Sequence, residues 1–278
     1  MSEVRDGVRQ LLTLPRQLQP EALERLLDRL GPPPAEQWNT AFGPDSLFDA
    51  WTRTTLTRGL YAANALAIRP RLAKPFRALE IGGGDGRLWR SVLSSADEGT
   101  LWLIDPAEAV HEEVARRLPP GVELISNRAP VQEAELPEDV DVAVCSLTLH
   151  HVPGEEKREV LRRLRASVTG LFVLNEADVH CEVDLAPGDP VLVDNLFDSY
   201  VRRCGRALLD EAPDERVDAI LHLWCLAQVR LAYVPIDERD VYELDVCRWL
   251  ELLASTGFKV QSRRCTDPYG LFWQYLSA

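Results

Sequence analysis

The stretch Leu79-Glu80-Ile81-Gly82-Gly83-Gly84-Asp85-Gly86-Arg87-Leu88 decides the fold. It reads as an apolar strand that runs into glycines and then into a helix. Glycines remove the Cβ atoms that would hold a ligand off the turn, and the start of the helix beyond offers free N–H donors. A dinucleotide-binding fingerprint needs glycines at 82, 84 and 87, and position 87 is arginine. The spacing is E-x-G-x-G-x-G, with Glu80 just ahead of the turn. A carboxylate there faces a cationic or amine-bearing ligand, whereas a pyrophosphate wants donors and no negative charge nearby.

Downstream, Leu101-Trp102-Leu103-Ile104-Asp105-Pro106 is an apolar strand ending in an acid about one βαβ unit further on. At that place a carboxylate can accept hydrogen bonds from both hydroxyls of a ribose. A third strand, Val122 to Ser126, ends at Asn127-Arg128-Ala129, polar groups placed to recognise an adenine edge. The fourth, Val140 to Cys145, runs into Ser146-Leu147-Thr148-Leu149-His150-His151-Val152. Strands near 76–81, 100–105, 121–126, 140–147 and 169–175, with helices after most of them, give the pattern of a parallel α/β sheet. Apolar-rich helices over about 180–240 then interrupt the rhythm, an insertion suited to covering the ligand edge of a sheet. A helix from Leu244 to Ser255 follows, then strands at Phe258–Arg264 and Tyr269–Leu276. Only Thr266-Asp267-Pro268 separates those strands, which predicts a hairpin-like close.

Upstream the chain is helical. Val4, Val8, Leu11 and Leu12 share one helix face; Pro20 opens a second helix, striped by Leu23, Leu26, Leu27 and Leu30 and stopped by Gly31 and the three prolines after it. After a polar linker, Asp45 or Ser46 caps a longer helix carrying Leu47, Phe48, Trp51, Leu56, Leu60 and Tyr61. We therefore divide the chain into a helical cap, 1–70, and a main domain, 71–278, with the insertion inside it. Residues 51–77 hold Arg53, Arg58, Arg69, Arg71, Lys74 and Arg77 and no acid. As a solvated helix face this stretch pairs with the acidic remainder; as a lid it attracts an anionic acceptor or reaches a cofactor carboxylate through Tyr61 or Arg58.

The 278 residues are 46% hydrophobic and carry a formal net charge of −13, which excludes a phosphate-backbone partner and disfavours an anionic membrane surface. No 18-residue apolar run and no signal-peptide pattern is present, and the six cysteines form no C-x-x-C pair. A cytoplasmic protein with buried, reduced thiols is expected.

Taken together, these motifs resemble the class I S-adenosylmethionine-dependent methyltransferases, in particular the small-molecule branch with L-H-H-[VLI] after the fourth strand. The resemblance covers roughly 76–178 by motif. It implies a Rossmann-like, seven-stranded, mostly parallel sheet with an antiparallel last strand. It also implies that Glu80 and the Gly82-Gly83-Gly84 backbone hold the methionine part of the cofactor. Asp105 with Pro106 takes the ribose, Asn127, Arg128 and Ala129 take the adenine, and Ser146 and Leu147 line the sulfonium side, with Tyr61 reaching in from the cap.

His150 or His151 at the end of the fourth strand is placed to take a proton from a hydroxyl acceptor, or else caps the following turn. Glu176 and Asp178, after the fifth strand, face the same mouth and can orient or deprotonate an acceptor, or stand solvated. His180, Cys181 and Glu182 are too closely spaced for a preformed metal site, and no metal is expected. The reading is a methyltransferase acting on an O, N or C nucleophile of a small, specialised-metabolite acceptor. Its rival is a protein of the same fold that binds the cofactor for cyclisation or regulation. A homodimer through the helical cap is a further expectation.

Overall fold

Seven strands form one sheet in the order β3-β2-β1-β4-β5-β7-β6 in a computed structural model, which describes residues 2–31, 46–179, 181 and 185–278. The core is parallel: β1 (Phe76–Ile81), β2 (Gly99–Ile104), β3 (Val122–Asn127), β4 (Val140–Ser146) and β5 (Val168–Ala177). β1, β4 and β5 are covered on both faces, which is why they read as nearly continuous apolar runs. β6 (Val260–Cys265) and β7 (Phe272–Ser277) make the expected hairpin, and β7 lies antiparallel to β5. The sheet and its antiparallel closing strand match the sequence reading.

Around the sheet lie α5 (Arg87–Val92), α6 (Glu108–Arg117), α7 (Gly154–Ser167) and α11 (Val246–Ser255). No helix joins β3 to β4, so residues 128–139 run as an irregular connection. That leaves Ile125 exposed beside a groove of about 640 Å³ floored by Trp102, Ile104 and Ile125.

In the N-terminal segment, α1 (Glu3–Thr13) and α2 (Gln19–Leu30) are as predicted, with Gly31 at φ +69° ending α2. The longer helix is instead two. Ser46 caps α3 (Leu47–Arg53), its side chain accepting from the Asp49 N–H. Thr54 then turns extended, and α4 (Thr55–Ile68) starts anew. The Thr54 and Thr57 hydroxyls both donate to the Trp51 carbonyl, at 2.8 and 2.5 Å, supplying side-chain partners where the backbone ladder stops. The alternative cap, Asp45, and the polyproline stretch lie outside the described residues.

The insertion forms two helical runs. One comprises α8 (Pro190–Leu196), a π-helical stretch (Phe197–Gly205) and α9 (Arg206–Asp210). The other comprises α10 (Glu215–Ile220), a π-helical stretch (Leu221–Leu226) and a 3-10 stretch (Ala227–Tyr233). Val8, Leu11, Leu23 and Leu56 of the N-terminal helices share one apolar cluster with Leu196, Phe197, Val201 and Ile220 of the insertion. The two segments thus form a common roof beside the strand ends. Among the described residues no helix is long and apolar enough to cross a membrane.

Candidate active site

The glycine turn after β1 brings the backbone into positive φ at Gly82 (+74°), Gly84 (+53°) and Gly86 (+69°). Its space is taken by the protein itself. A Cβ at 82 would overlap the Thr148 side chain; at 83 it would lie 2.6 Å from Leu103 Cδ1, and at 84 it would lie 2.9 Å from the Phe48 ring. The glycines therefore serve close packing as well as any ligand, which is left the backbone. Gly82 donates to the Ile104 carbonyl (3.0 Å) and Gly83 to Asp105 Oδ2 (3.2 Å), tying the turn to the end of β2.

Three acids lie buried around this turn, and one of them is answered by cations. Asp85 pairs with Arg87 (2.6 Å) and Arg117 (3.1 Å), and Arg87 bridges on to Asp49 of α3 (2.8 Å). Glu80, 4% exposed, accepts from Trp89 Nε1 at 2.7 Å, and Asp105, 9% exposed, accepts from the N–H groups of Gly83 and Ala107. Neither makes an ion pair among the described residues. Burial pushes the Glu80 carboxyl well above its ordinary range; the Trp89 bond opposes this, and Asp105 and Asp85 add to it. Asp105 is raised by burial against the two backbone bonds. A pair of buried carboxylates without cations costs free energy alone and is answered by a positively charged ligand. An ammonium or sulfonium group with ribose hydroxyls nearby fits this donor-poor, acid-rich cradle.

Tyr61 of α4 lies over the same turn, its ring 5.8 Å from the Arg87 guanidinium, and burial raises its phenol, with Asp85 adding. Arg58 sits one turn earlier. Beyond β3, Asn127 Oδ1 accepts from the Ala129 N–H (3.2 Å), closing its own turn, and the Arg128 side chain turns outward to Glu108 (2.6 Å). Asn127 and Arg128 line the groove described above. Pro106 follows Asp105 directly at the start of the β2–α6 connection.

At the end of β4, Ser146 Oγ accepts from Asn64 Nδ2 (3.2 Å) and Asn175 Nδ2 (2.8 Å), and Gln274 Nε2 donates to Asn64 Oδ1 (2.5 Å). Asn64, Asn175 and Gln274 are fully buried, and none was singled out from the sequence. The available signal was an asparagine inside the apolar run Ala62-Ala63-Asn64-Ala65-Leu66. Leu147 takes φ +52°, a conformation uncommon outside glycine, with its N–H on the Asn175 carbonyl (2.8 Å).

The two histidines part company. His150 Nδ1 lies 2.9 Å from Glu176 Oε2, while Glu176 Oε1 accepts from the N–H groups of Thr148 (3.1 Å) and Leu149 (2.8 Å). Glu176 is 1% exposed, and with these contacts it holds the imidazole rather than facing an acceptor. Burial pulls the His150 pKa down, but the Glu176 charge and hydrogen bond, with Glu243 behind them, shift it upward on balance. His151 turns outward, its Nδ1 3.1 Å from the Asp240 carbonyl. Asp178 pairs with Arg203 (3.1 Å) and accepts from the Val246 N–H (3.0 Å).

Several basic side chains of the 51–77 stretch are used in local contacts: Arg53 on Asp49, Lys74 on Asp97, Arg69 on the Ser91 and Val92 carbonyls, and Arg77 on those of Glu138 and Asp139. His180 and Glu182 lie outside the described residues, and among those described no three His, Cys, Asp or Glu side chains converge as a metal site would need.

The profile of a methyltransferase-domain family matches residues 79–169, the segment holding the glycine turn, Asp105, Asn127 and the histidines. No curated protein sequence matches the chain. Among solved structures, the SCL7 protein of Oryza sativa superposes with a TM-score of 0.62 at 16% identity, over 84% of this chain and 82% of that one. Magnesium protoporphyrin IX methyltransferase from Synechocystis PCC 6803, with bound S-adenosylhomocysteine, gives 0.51 at 12% identity, over 86% and 91%. A SAM-dependent methyltransferase from Leishmania major gives 0.50 at 14% identity, over 100% and 83%. At these identities the likeness is one of fold. The chain carries a methyltransferase domain over residues 79–169, in a fold that it shares with S-adenosylmethionine-dependent methyltransferases.

Proposed function

We propose that the chain methylates a hydroxyl oxygen of a small-molecule acceptor, with His150 as general base and Glu176 as the residue that positions it. The single observation that carries this reading is the His150 Nδ1–Glu176 Oε2 contact at 2.9 Å. With Nδ1–H donating to the carboxylate, Nε2 is left with its lone pair, the tautomer a base requires. Glu176 is in turn held by two backbone donors, so the imidazole orientation is set by the β5 end and the turn after β4.

Glu80 and Asp105 supply the negative charge of the cofactor cradle, Gly82 to Gly84 its backbone, and Ser146 with Leu147 the wall between cradle and histidine. Bound there, S-adenosylmethionine supplies a methyl group already activated on a sulfonium. Alignment is therefore the larger part of the protein's work. The shared apolar roof of N-terminal helices and insertion encloses the acceptor side and supports a small metabolite over a protein tail.

The test is methyl transfer measured by formation of S-adenosylhomocysteine with a panel of phenolic and alcoholic acceptors. His150→Ala is expected to lower turnover about 10²–10⁴-fold with cofactor affinity retained. Unchanged turnover in that variant would move the reading to a nitrogen acceptor or to positioning alone.

A further inference from the structure

Cys204 and Cys225 set their sulfur atoms 2.8 Å apart, closer than two unbonded sulfurs rest, and both side chains are buried. A disulfide brings the sulfurs to about 2.05 Å, a small closure from this contact. The other four cysteines stand apart. Cys145 is buried in β4, Cys181 accepts from Arg239 Nη1 (3.4 Å), Cys265 donates to the Asp267 carbonyl (3.1 Å), and Cys247 is exposed. Among the described residues Cys204 and Cys225 are the one pair of thiols in contact.

They belong to the two runs of the insertion. Cys204 lies on the π-helical stretch Phe197–Gly205 and Cys225 on Leu221–Leu226, 21 residues further along the chain. π-helical turns are uncommon and gather at functional sites. Here each run carries one, and the two thiols meet between them. The pair sits in the apolar cluster that joins the insertion to the N-terminal helices. Tyr200, about one turn before Cys204, donates to Glu243, and the neighbouring Tyr242 N–H donates to the His150 carbonyl (2.6 Å). The thiols are thus close along the chain to the contact that ties the roof to the histidine.

We propose that Cys204 and Cys225 are a redox-active pair that closes to a disulfide and staples the two runs of the roof together. The co-reactant is a low-molecular-weight disulfide such as oxidised glutathione. One protein thiolate attacks a glutathione sulfur and releases the first glutathione thiolate. The second protein thiolate then attacks the protein sulfur of that mixed disulfide, which forms the Sγ–Sγ bond and releases the second. The two protein thiols give up two electrons and two protons, which leave as two glutathione thiols. In the closed protein this exchange is slow: burial, with Cys204 adding, holds the Cys225 thiol well above its ordinary range, so it stays protonated and shielded. Exchange runs through opening of the roof, and the bond once formed constrains that opening. The inference is independent of the acceptor and of the base proposed above.

The experiment equilibrates the full chain over a series of reduced-to-oxidised glutathione ratios, both in the native state and during refolding from denaturant. After an acid quench, free thiols are blocked and the protein is read by intact mass and peptide mapping. Wild type is expected to lose two hydrogens, with the cross-link mapped to Cys204 and Cys225, and to regain them in dithiothreitol. The oxidised protein melts about 5–10 °C above the reduced one, and amide hydrogen exchange over 197–226 slows. Cys204→Ala and Cys225→Ala each abolish the loss of two hydrogens, while Cys247→Ser, at the exposed thiol, keeps it.

The proposal is overturned by six free thiols at every glutathione ratio in native and refolded wild type alike, by a main cross-link that maps to any other cysteines, or by oxidised and reduced wild type that melt together. Each of these readings is made on the wild type and needs no variant to fold.

Discussion

Glu176 grips His150 at Nδ1, 2.9 Å away, and in doing so decides which imidazole nitrogen can accept a proton. The same carboxylate is pinned by the Thr148 and Leu149 N–H groups, so the dyad is anchored to the backbone of the turn after β4. His151, one residue on, sets its Nδ1 3.1 Å from the Asp240 carbonyl and stacks obliquely on His150 with ring centroids 4.2 Å apart.

A difference in phenotype between the two histidines follows. His151→Ala is expected to keep turnover within a few-fold of wild type, while His150→Ala loses about 10²–10⁴-fold. Single-turnover rates with S-adenosylhomocysteine detection separate them; equal losses in both variants would dissolve the assignment.

The pH dependence has a definite sign. The neutral imidazole is the base, so turnover rises with pH through the His150 pKa. Burial lowers that value and the Glu176 and Glu243 charges more than offset it, which puts the midpoint above the ordinary 6.5. Glu176→Gln removes the stronger raising charge and leaves the burial, so its midpoint moves to lower pH. For stability the linkage runs the other way: the imidazolium–Glu176 pair contributes fully below about pH 6.5 and is lost as pH rises through the raised folded value. Comparing kcat–pH profiles and melting curves for the two proteins checks both signs.

At Gly84, a substitution meets two obstacles, a φ of +53° and the Phe48 ring 2.9 Å from the new Cβ. Gly84→Ala is expected to destabilise the chain by about 1–3 kcal/mol and to weaken cofactor binding. Adding Phe48→Ala relieves the contact and leaves the backbone strain, so the double variant recovers part of the binding loss. Calorimetric titration with S-adenosylhomocysteine on the single and double variants measures that coupling; strictly additive losses would show that Phe48 does not bear on the turn.

Much of this was legible in the sequence because the signals are local. Apolar runs bounded by glycine or proline gave the strands, and the short spacing around Thr266-Asp267-Pro268 gave the antiparallel close. The acid ahead of the glycines and the acid ending β2 stand out by residue type and spacing, and their assignment to the cofactor is what the resemblance to the methyltransferases implies. What escaped depends on burial, which spacing does not report. Thr54 looks like any helical threonine until its hydroxyl is seen on the Trp51 carbonyl. Arg239 stands in Ile236-Asp237-Glu238-Arg239-Asp240, a charge run that reads as solvated surface, and only the folded chain shows it buried. The basic stretch at 51–77 reads either as a face paired with acids or as an anion attractor, and the ion pairs of Arg53 with Asp49 and Lys74 with Asp97 agree with the first reading for those two residues.

Proton release on cofactor binding is the sharpest consequence of the acid cradle. Burial holds the Glu80 carboxyl well above its ordinary range and Asp105 above its own, so the free protein keeps protons on these groups at pH values where exposed carboxyls have lost them. A cation placed beside them lowers both values and expels protons. Affinity for S-adenosylmethionine therefore rises with pH across the range in which the free carboxyls titrate, and the binding enthalpy varies with the ionisation heat of the buffer. Glu80→Gln can still accept from Trp89 Nε1, so the fold keeps that bond while one titrating group is gone. In this variant the buffer dependence falls and affinity drops, as it does for Asp105→Ala, where losing an acceptor for two ribose hydroxyls costs about 10-fold to 100-fold. A wild-type enthalpy identical in phosphate and Tris buffers would show that neither acid gives up a proton, and so that neither faces the cofactor's charge.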